Sequence, residues 1–468
     1  MPFLPDLIVR SQRVVTPAGT RRAAVHVRGG KIAGVLDFDD VPVGCPVDEA
    51  GVAAVIPGIV DTYVHVDAFD DAGTRGVEAT TRAAAAGGIT TLIQAPLYNA
   101  YDGRNPAGAA TTTGAGVAAR LSGAEGHCYV DVGLWGGVVP GNAGELAGMV
   151  DAGVVGFACG LASRNGDAVA EADLREAMPA IKRLSMPLLV HPEAPGPIAR
   201  AAERRQAGGR LVRLLASRQS RRCYSAYLTS RPKEAENEAI ALMIALCQEF
   251  RTRIHIVPLS SSDALTPLFH ARSARLPITA ATSPHHLTFV AEEIPDGATS
   301  FKCAPPIRER ENREFLWAAL AGGLIQMAVS DHSPPPGTAK AQARDFRHSW
   351  TGISSLALSL SAMWTSAVGR GYTLSQVTDW MCRMPARLAG LDRKGAIEPG
   401  YDADLVIIDP DAAFTVGADQ LHAHDALTPY HGRRLYGVVE RTYLRGRAIY
   451  ERGKAIEGPA GRVLVPTR

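Results

Sequence analysis

Eight short, almost uninterrupted apolar runs punctuate the middle of the chain: PGIVDTYVH, GITTLIQAP, YVDVGLWGGVV, VVGFACGL, PLLVHPE, RIHIVPL, ITAATSPHHL and LIQMAVSDH. Between them lie segments of helical character such as TRAAAA, EAENEAIALMIALCQEF and NREFLWAALAGG. A strand that is apolar on both faces must be covered on both faces. A helix after each strand supplies that cover, which argues for a parallel sheet. Eight such units between residues 56 and 392 fit an α/β fold of the TIM-barrel type, (β/α)8. The ends of the chain differ. DLIVR, RVVTP and AAVHVRGGKIAGVL read as strands, with Gly29 and Gly30 as a hairpin turn. ADLVIID and GVVERTYLRGRAIYERGKAI repeat that character near the other end. Residues 1–55 and 393–468 are therefore expected to form one small β-sandwich domain around a barrel at 56–392.

The 468 residues are 46% hydrophobic and 21% charged, enough apolar material for a large core. A net charge of +2 gives no electrostatic case for nucleic acid or a membrane surface. The one basic run, from Arg210 to Arg222, reads as a solvated helix face. No run of about 18 apolar residues suggests a membrane span. The N-terminus lacks the charged-then-apolar pattern of a secretory leader. Seven cysteines, an odd number without a C-x-x-C pair, point to reduced thiols and a cytoplasmic location.

In a barrel of this kind the working residues sit at the C-terminal ends of the strands. His65, His191, His285, His286, Asp331 and His332 all fall there, the last two in SDHSPPP where the final strand opens. His285 and His286 are adjacent, so on an extended strand end only one of them faces the mouth.

These motifs resemble the cyclic amidohydrolases (allantoinase, hydantoinase, dihydropyrimidinase and dihydroorotase), and most of all the allantoinase branch. The resemblance covers nearly the whole length. It is carried by PGIVDTYVHVD, RAAAAGGITTLIQAPL, VHPE, YLTSRPKEAENEAI, SPHHLTF, FKCAPPIRERENREFLW, SDHSPPP, WTGISSL and KGAIEPGYDADLVIIDP. It implies hydrolysis of a cyclic amide or ureide C–N bond, or the reverse cyclisation, on a small cyclic-amide molecule. It also implies a homodimer or homotetramer and a binuclear metal site with six protein ligands.

Carried over position by position, three of those six are present: His65, His191 and Asp331. Tyr63 stands where the first histidine would be, Ala158 where the bridging carboxylated lysine would be, and Pro258 where a later histidine would be. Cys159 is a poor substitute, since it should point to the opposite face from Ala158. Three expectations follow. One divalent metal (Zn, Mn or Fe) is held by His65, His191 and Asp331, three ligands with an open position. Alternatively no metal binds, and Asp331 acts as general base with His65 or His191 holding it and Tyr63 as acid or oxyanion donor. In the third, the chain is a non-catalytic relative serving as a binding or scaffold protein. His285, Ser260, Cys303 and Pro305 belong to the loops that the resemblance assigns to substrate binding. The loop after His65, with Asp67, Asp70 and Asp71, departs from the allantoinase pattern and argues against an anionic substrate.

Overall fold

A computed structural model describes residues 4–66, 75–96, 110–162, 167–207, 221–334, 345–417, 421, 427–454 and 458–465. The two ends of the chain build one seven-stranded sheet. Its N-terminal strands are β1 (Leu7–Thr16), β2 (Gly19–Arg28), β3 (Lys31–Leu36) and β4 (Val47–Pro57). β4 runs to Pro57, past the expected boundary at residue 55. Gly29 and Gly30, at φ +56° and +75°, supply the two left-handed residues that the tight turn between β2 and β3 needs. The barrel strands follow: β5 (Ile59–Val64), β6 (Ile89–Gln94), β7 (Asp131–Leu134), β8 (Gly136–Gly137), β9 (Phe157–Gly160), β10 (Pro187–His191), β11 (Arg253–Ile256), β12 (Ile278–Thr282) and β13 (Met327–Ala328). The chain then returns to the first sheet with β14 (Leu405–Thr415), β15 (Arg434–Leu444) and β16 (Arg447–Glu451), giving the order β16-β15-β14-β4-β1-β2-β3.

All pairings along the barrel are parallel. β7 and β8 are two halves of one stave, split at Trp135; β7 pairs with β6, and β8 with β9. The ring closes where Val64 meets His332 in a parallel bridge and the His65 amide donates to the His332 carbonyl at 2.8 Å. Side chains alternate across the wall as the period of two demands. Ile93, Ala158, Leu189, Val257, Ala281 and Val329 pack together inside the barrel. Phe157, Cys159, Leu188, Val190, Ile254 and Ile256 pack outward into the larger core. Trp135 is fully buried inside, and its indole N–H donates to the Thr62 carbonyl at 2.7 Å.

The C-terminal tail does not join the β domain as expected for 393–468. Residues 458–465 lie along β7 instead: the Val132 amide donates to Arg462 O at 2.9 Å, and the Leu464 amide donates to Val132 O at 2.8 Å. Splitting the stave at Trp135 leaves one edge of β7 without a strand partner, and the tail satisfies those buried backbone groups. Among the described residues no helix is long and apolar enough to cross a membrane.

A buried charge cluster ties the β domain to the barrel. Lys394 Nζ lies 2.6 Å from Asp404 Oδ2 and 2.8 Å from Asp131 Oδ2, while Arg445 reaches Asp131 at 2.5 Å. Burial alone would lower the Lys394 ammonium's proton affinity; Asp404 and Asp131 overcome this and hold it above the usual lysine range. Removing one member leaves an uncompensated buried charge. Lys394→Met is therefore expected to lower stability by about 3–5 kcal/mol, measured by urea denaturation.

Candidate active site

Asp61 and Tyr63 alternate along β5 facing the barrel interior, and His65, just past its end, lies half-buried at the mouth. The Tyr63 and His65 rings meet edge to face, 5.4 Å apart. Burial, and then the charge of Asp331, push the Tyr63 hydroxyl above its ordinary range, so it is a neutral donor. Burial, with His191 nearby, lowers His65 to about 4, leaving a neutral imidazole. His191 ends β10, and its Nε2–H donates to the Ala304 carbonyl at 2.9 Å.

Asp331 follows the last strand in a left-handed backbone conformation, φ +48°, which is strained for a residue with a side chain. It is 8% exposed, and its Oδ2 lies 3.7 Å from His285 Nε2. Burial, then the neighbouring Asp61, raise its carboxyl well above the usual range. Asp61 is itself pushed up to about 6 by burial, against the hydrogen bonds it accepts from Ser330 and Tyr63. His332 Nδ1 accepts from the Ser355 and Leu356 amides, at 3.1 and 3.2 Å, which leaves its proton on Nε2.

The residues expected to bind substrate are placed unequally. His285 and His286 sit on a short helix, Pro284–Thr288, not on an extended strand end. Successive side chains there are separated by a helical turn angle, so both rings lie inside the site wall, their centroids 4.4 Å apart. His286 is bracketed by Ser283 Oγ at 2.8 Å from Nδ1 and Pro305 O at 3.1 Å from Nε2. Cys303 Sγ lies 3.9 Å from the same Nε2, and the Cys303 carbonyl accepts from the Tyr227 hydroxyl at 2.6 Å. Ser260 is fully buried, and its polar groups are engaged within the protein. Its hydroxyl and amide both bond Glu236, at 2.7 and 2.8 Å, its oxygen accepts from Arg308 at 3.2 Å, and its carbonyl accepts from Asn312 at 2.7 Å. Its position in the loop is thus structural, in place of the substrate contact expected for it. The loop with Asp67, Asp70 and Asp71 lies outside the described residues, as does most of the basic run from Arg210.

Glu236, Arg308, Asp61 and His332 carry much of this arrangement. Only His332 stood out in the sequence. Glu236 looks like one more charge on the face of the helix Lys233–Phe250, yet it is fully buried and paired with Arg308 at 2.7 Å. Beside it, burial would raise the Glu193 carboxyl, but Arg231 and His191 hold it below its usual value.

Residues 54–449 match the family model described as "Amidohydrolase family". The chain is a member of the amidohydrolase family. Among curated relatives it is similar to the allantoinase of Streptomyces avermitilis, 43% identical over 463 residues that cover 98% of each chain. It is also similar to the allantoinase of Arabidopsis thaliana, 36% identical over 480 residues, 98% of this chain and 91% of the relative. Among solved structures it resembles an L-hydantoinase (dihydropyrimidinase) from Arthrobacter aurescens. That match has a TM-score of 0.88 and 30% identity, and covers 99% of this chain and 100% of the other. It is thus an allantoinase-like amidohydrolase with a (β/α)8 barrel.

Amidohydrolases typically use divalent metals, and the binuclear arrangement implied by the sequence resemblance does not fit the residues here. Ala158 presents a methyl group to the barrel interior, packed in the cluster that holds Tyr63 and Leu189. Pro258 carries no side-chain donor. Among the described residues, the group of three whose ligand atoms lie within 4.8 Å of one another is His285, His286 and Cys303. His65, His191 and Asp331 are not drawn together at that spacing. The wall's own support is testable. Glu236→Ala leaves the Arg308 guanidinium buried without its carboxylate and is expected to cost about 3–5 kcal/mol. Hydrogen exchange should then speed up at the Ser260 and Ser261 amides, both of which donate to Glu236.

Proposed function

We propose that this amidohydrolase opens, or in reverse closes, the ring of a neutral cyclic ureide or imide without a metal-bridged pair, with Asp331 moving the proton. The observation that carries this reading is the Asp331 carboxyl itself. It is buried at the strand end, held in a strained backbone, and lies 3.7 Å from His285. In the hydrolytic direction Asp331 takes a proton from the attacking water as the C–O bond forms at the ring carbonyl. It returns the proton to the ring nitrogen as the C–N bond breaks. The neutral Tyr63 hydroxyl donates to the oxygen on which charge develops, and His65 fixes the edge of Tyr63. His285 holds the carboxyl, and the Cys303–Pro305 segment forms the wall behind it. The cyclic-ureide substrate is supported by 43% identity to an allantoinase over 98% of the chain. All seven cysteines are free thiols, which fits the cytoplasmic location expected from the sequence.

A second reading, a pocket that binds such a ring without turning it over, is favoured by Ala158 and Pro258, which remove the water-activating centre. One experiment separates the two. Purified protein is assayed for ring opening with allantoin, hydantoin and dihydrouracil, and binding of each is measured by calorimetry. Turnover is expected, and Asp331→Asn should lower kcat/KM by about 10²–10⁴-fold while binding persists. Binding of a ring with no turnover in the unmodified protein selects the second reading.

A further inference from the structure

We propose that His285, His286 and Cys303 form a three-ligand site for one zinc-class divalent cation, with the fourth position open. None of the three stands at a position that the family resemblance makes a metal ligand, so this would be a different site, displaced to the wall of the mouth. The geometry is close to what an ion requires. The ligand atoms of the three lie within 4.8 Å of one another. A tetrahedral ion with bonds of about 2.3 Å to sulfur and about 2.0 Å to nitrogen holds the two roughly 3.6 Å apart. Cys303 Sγ and His286 Nε2 are already at 3.9 Å.

The chemistry of the donors is equally specific. One thiolate and two neutral imidazoles make a set suited to zinc and unlike the all-oxygen shells of magnesium or calcium. The thiolate offsets one of the ion's two charges, which lowers the cost of burying it. Burial is nearly complete: His285 is 0%, His286 3% and Cys303 1% exposed. Ser283 Oγ, 2.8 Å from His286 Nδ1, accepts the Nδ1–H in the tautomer that turns the Nε2 lone pair toward Cys303. The Pro305 carbonyl, 3.1 Å from that Nε2, is the contact the ion displaces. The Tyr227 hydroxyl bonded to the Cys303 carbonyl holds the sulfur-bearing residue in place. Coordination converts the thiol to thiolate, its proton passing to solvent.

The site rests on this geometry and not on turnover, so it can be tested without a substrate. Chelator-stripped protein is loaded with cobalt(II), a spectroscopic stand-in for zinc, and passed through a desalting column. About one cobalt per chain is expected, with a thiolate-to-cobalt charge-transfer band that added zinc abolishes. Cys303→Ser should remove the band, and His286→Gln should weaken retention at least tenfold. If Cys303→Ser does not fold, the His286 variant and the zinc competition decide. Cobalt that is not retained, that binds without the band, or whose band survives in both the Cys303 and His286 variants overturns the proposal. A failed ring-opening assay leaves it untouched.

Discussion

Closing a barrel requires its first strand to meet its last, and here one buried carboxylate makes that meeting. Asp61 accepts the Ser330 amide on both oxygens, each at 3.2 Å, and the Tyr63 amide at 3.3 Å. The seam then continues outward through the His65–His332 backbone bond and the Val64–His332 bridge. His332 turns its ring to the Ser355 and Leu356 amides, which fixes the segment leading to the next helix. His65, Ser330 and His332 are tied into that seam, and the strained Asp331 lies between Ser330 and His332 in the chain. The cost of burying Asp61 appears in its carboxyl, raised to about 6, and its charge in turn raises Asp331.

Across the mouth from the seam, the wall is built by loops rather than by strand ends. Glu236 gathers the Ser260 and Ser261 amides and the Arg308 guanidinium. Tyr224 and Tyr227 accept the role of props, donating to the carbonyls of Ile307 and Cys303. This side has polar density without any group from the positions where Ala158 and Pro258 stand. The barrel keeps the shape of its family, with Ala158 and Pro258 standing at positions that offer no ligand.

The barrel and its β appendage were legible because they are written in periodicity: continuous apolar strands in the middle, alternating strands at both ends. The opposite orientations of Ala158 and Cys159 followed from the same period and are present in the structure. What was not legible depends on partners distant in sequence. Ser260 reads as a mouth hydroxyl until the buried Glu236 on a neighbouring helix engages it. The residues of the tail near Arg462 carry no strand signature, and they pair with β7 only because Trp135 interrupts that stave. Strand parity would set His285 and His286 on opposite faces, but a proline-initiated helical turn changes the angle between the two rings. The Lys394 cluster was invisible because its four members lie at residues 131, 394, 404 and 445 and meet only in three dimensions.

The seven-stranded sheet places β4 beside β14, pairing Pro57 with Leu405. That neighbour is separated by the entire barrel in the order of synthesis. At about 5–20 residues per second, β4 leaves the ribosome some tens of seconds before β14 exists. During that interval the β4 edge that β14 later covers has no partner, the kind of edge that pairs readily with other chains. The barrel must fold while its appendage waits, and a slow or stalled barrel exposes that edge for longer. The shared sheet therefore makes the arrival of β14, late in translation, the moment at which the β4 edge is covered.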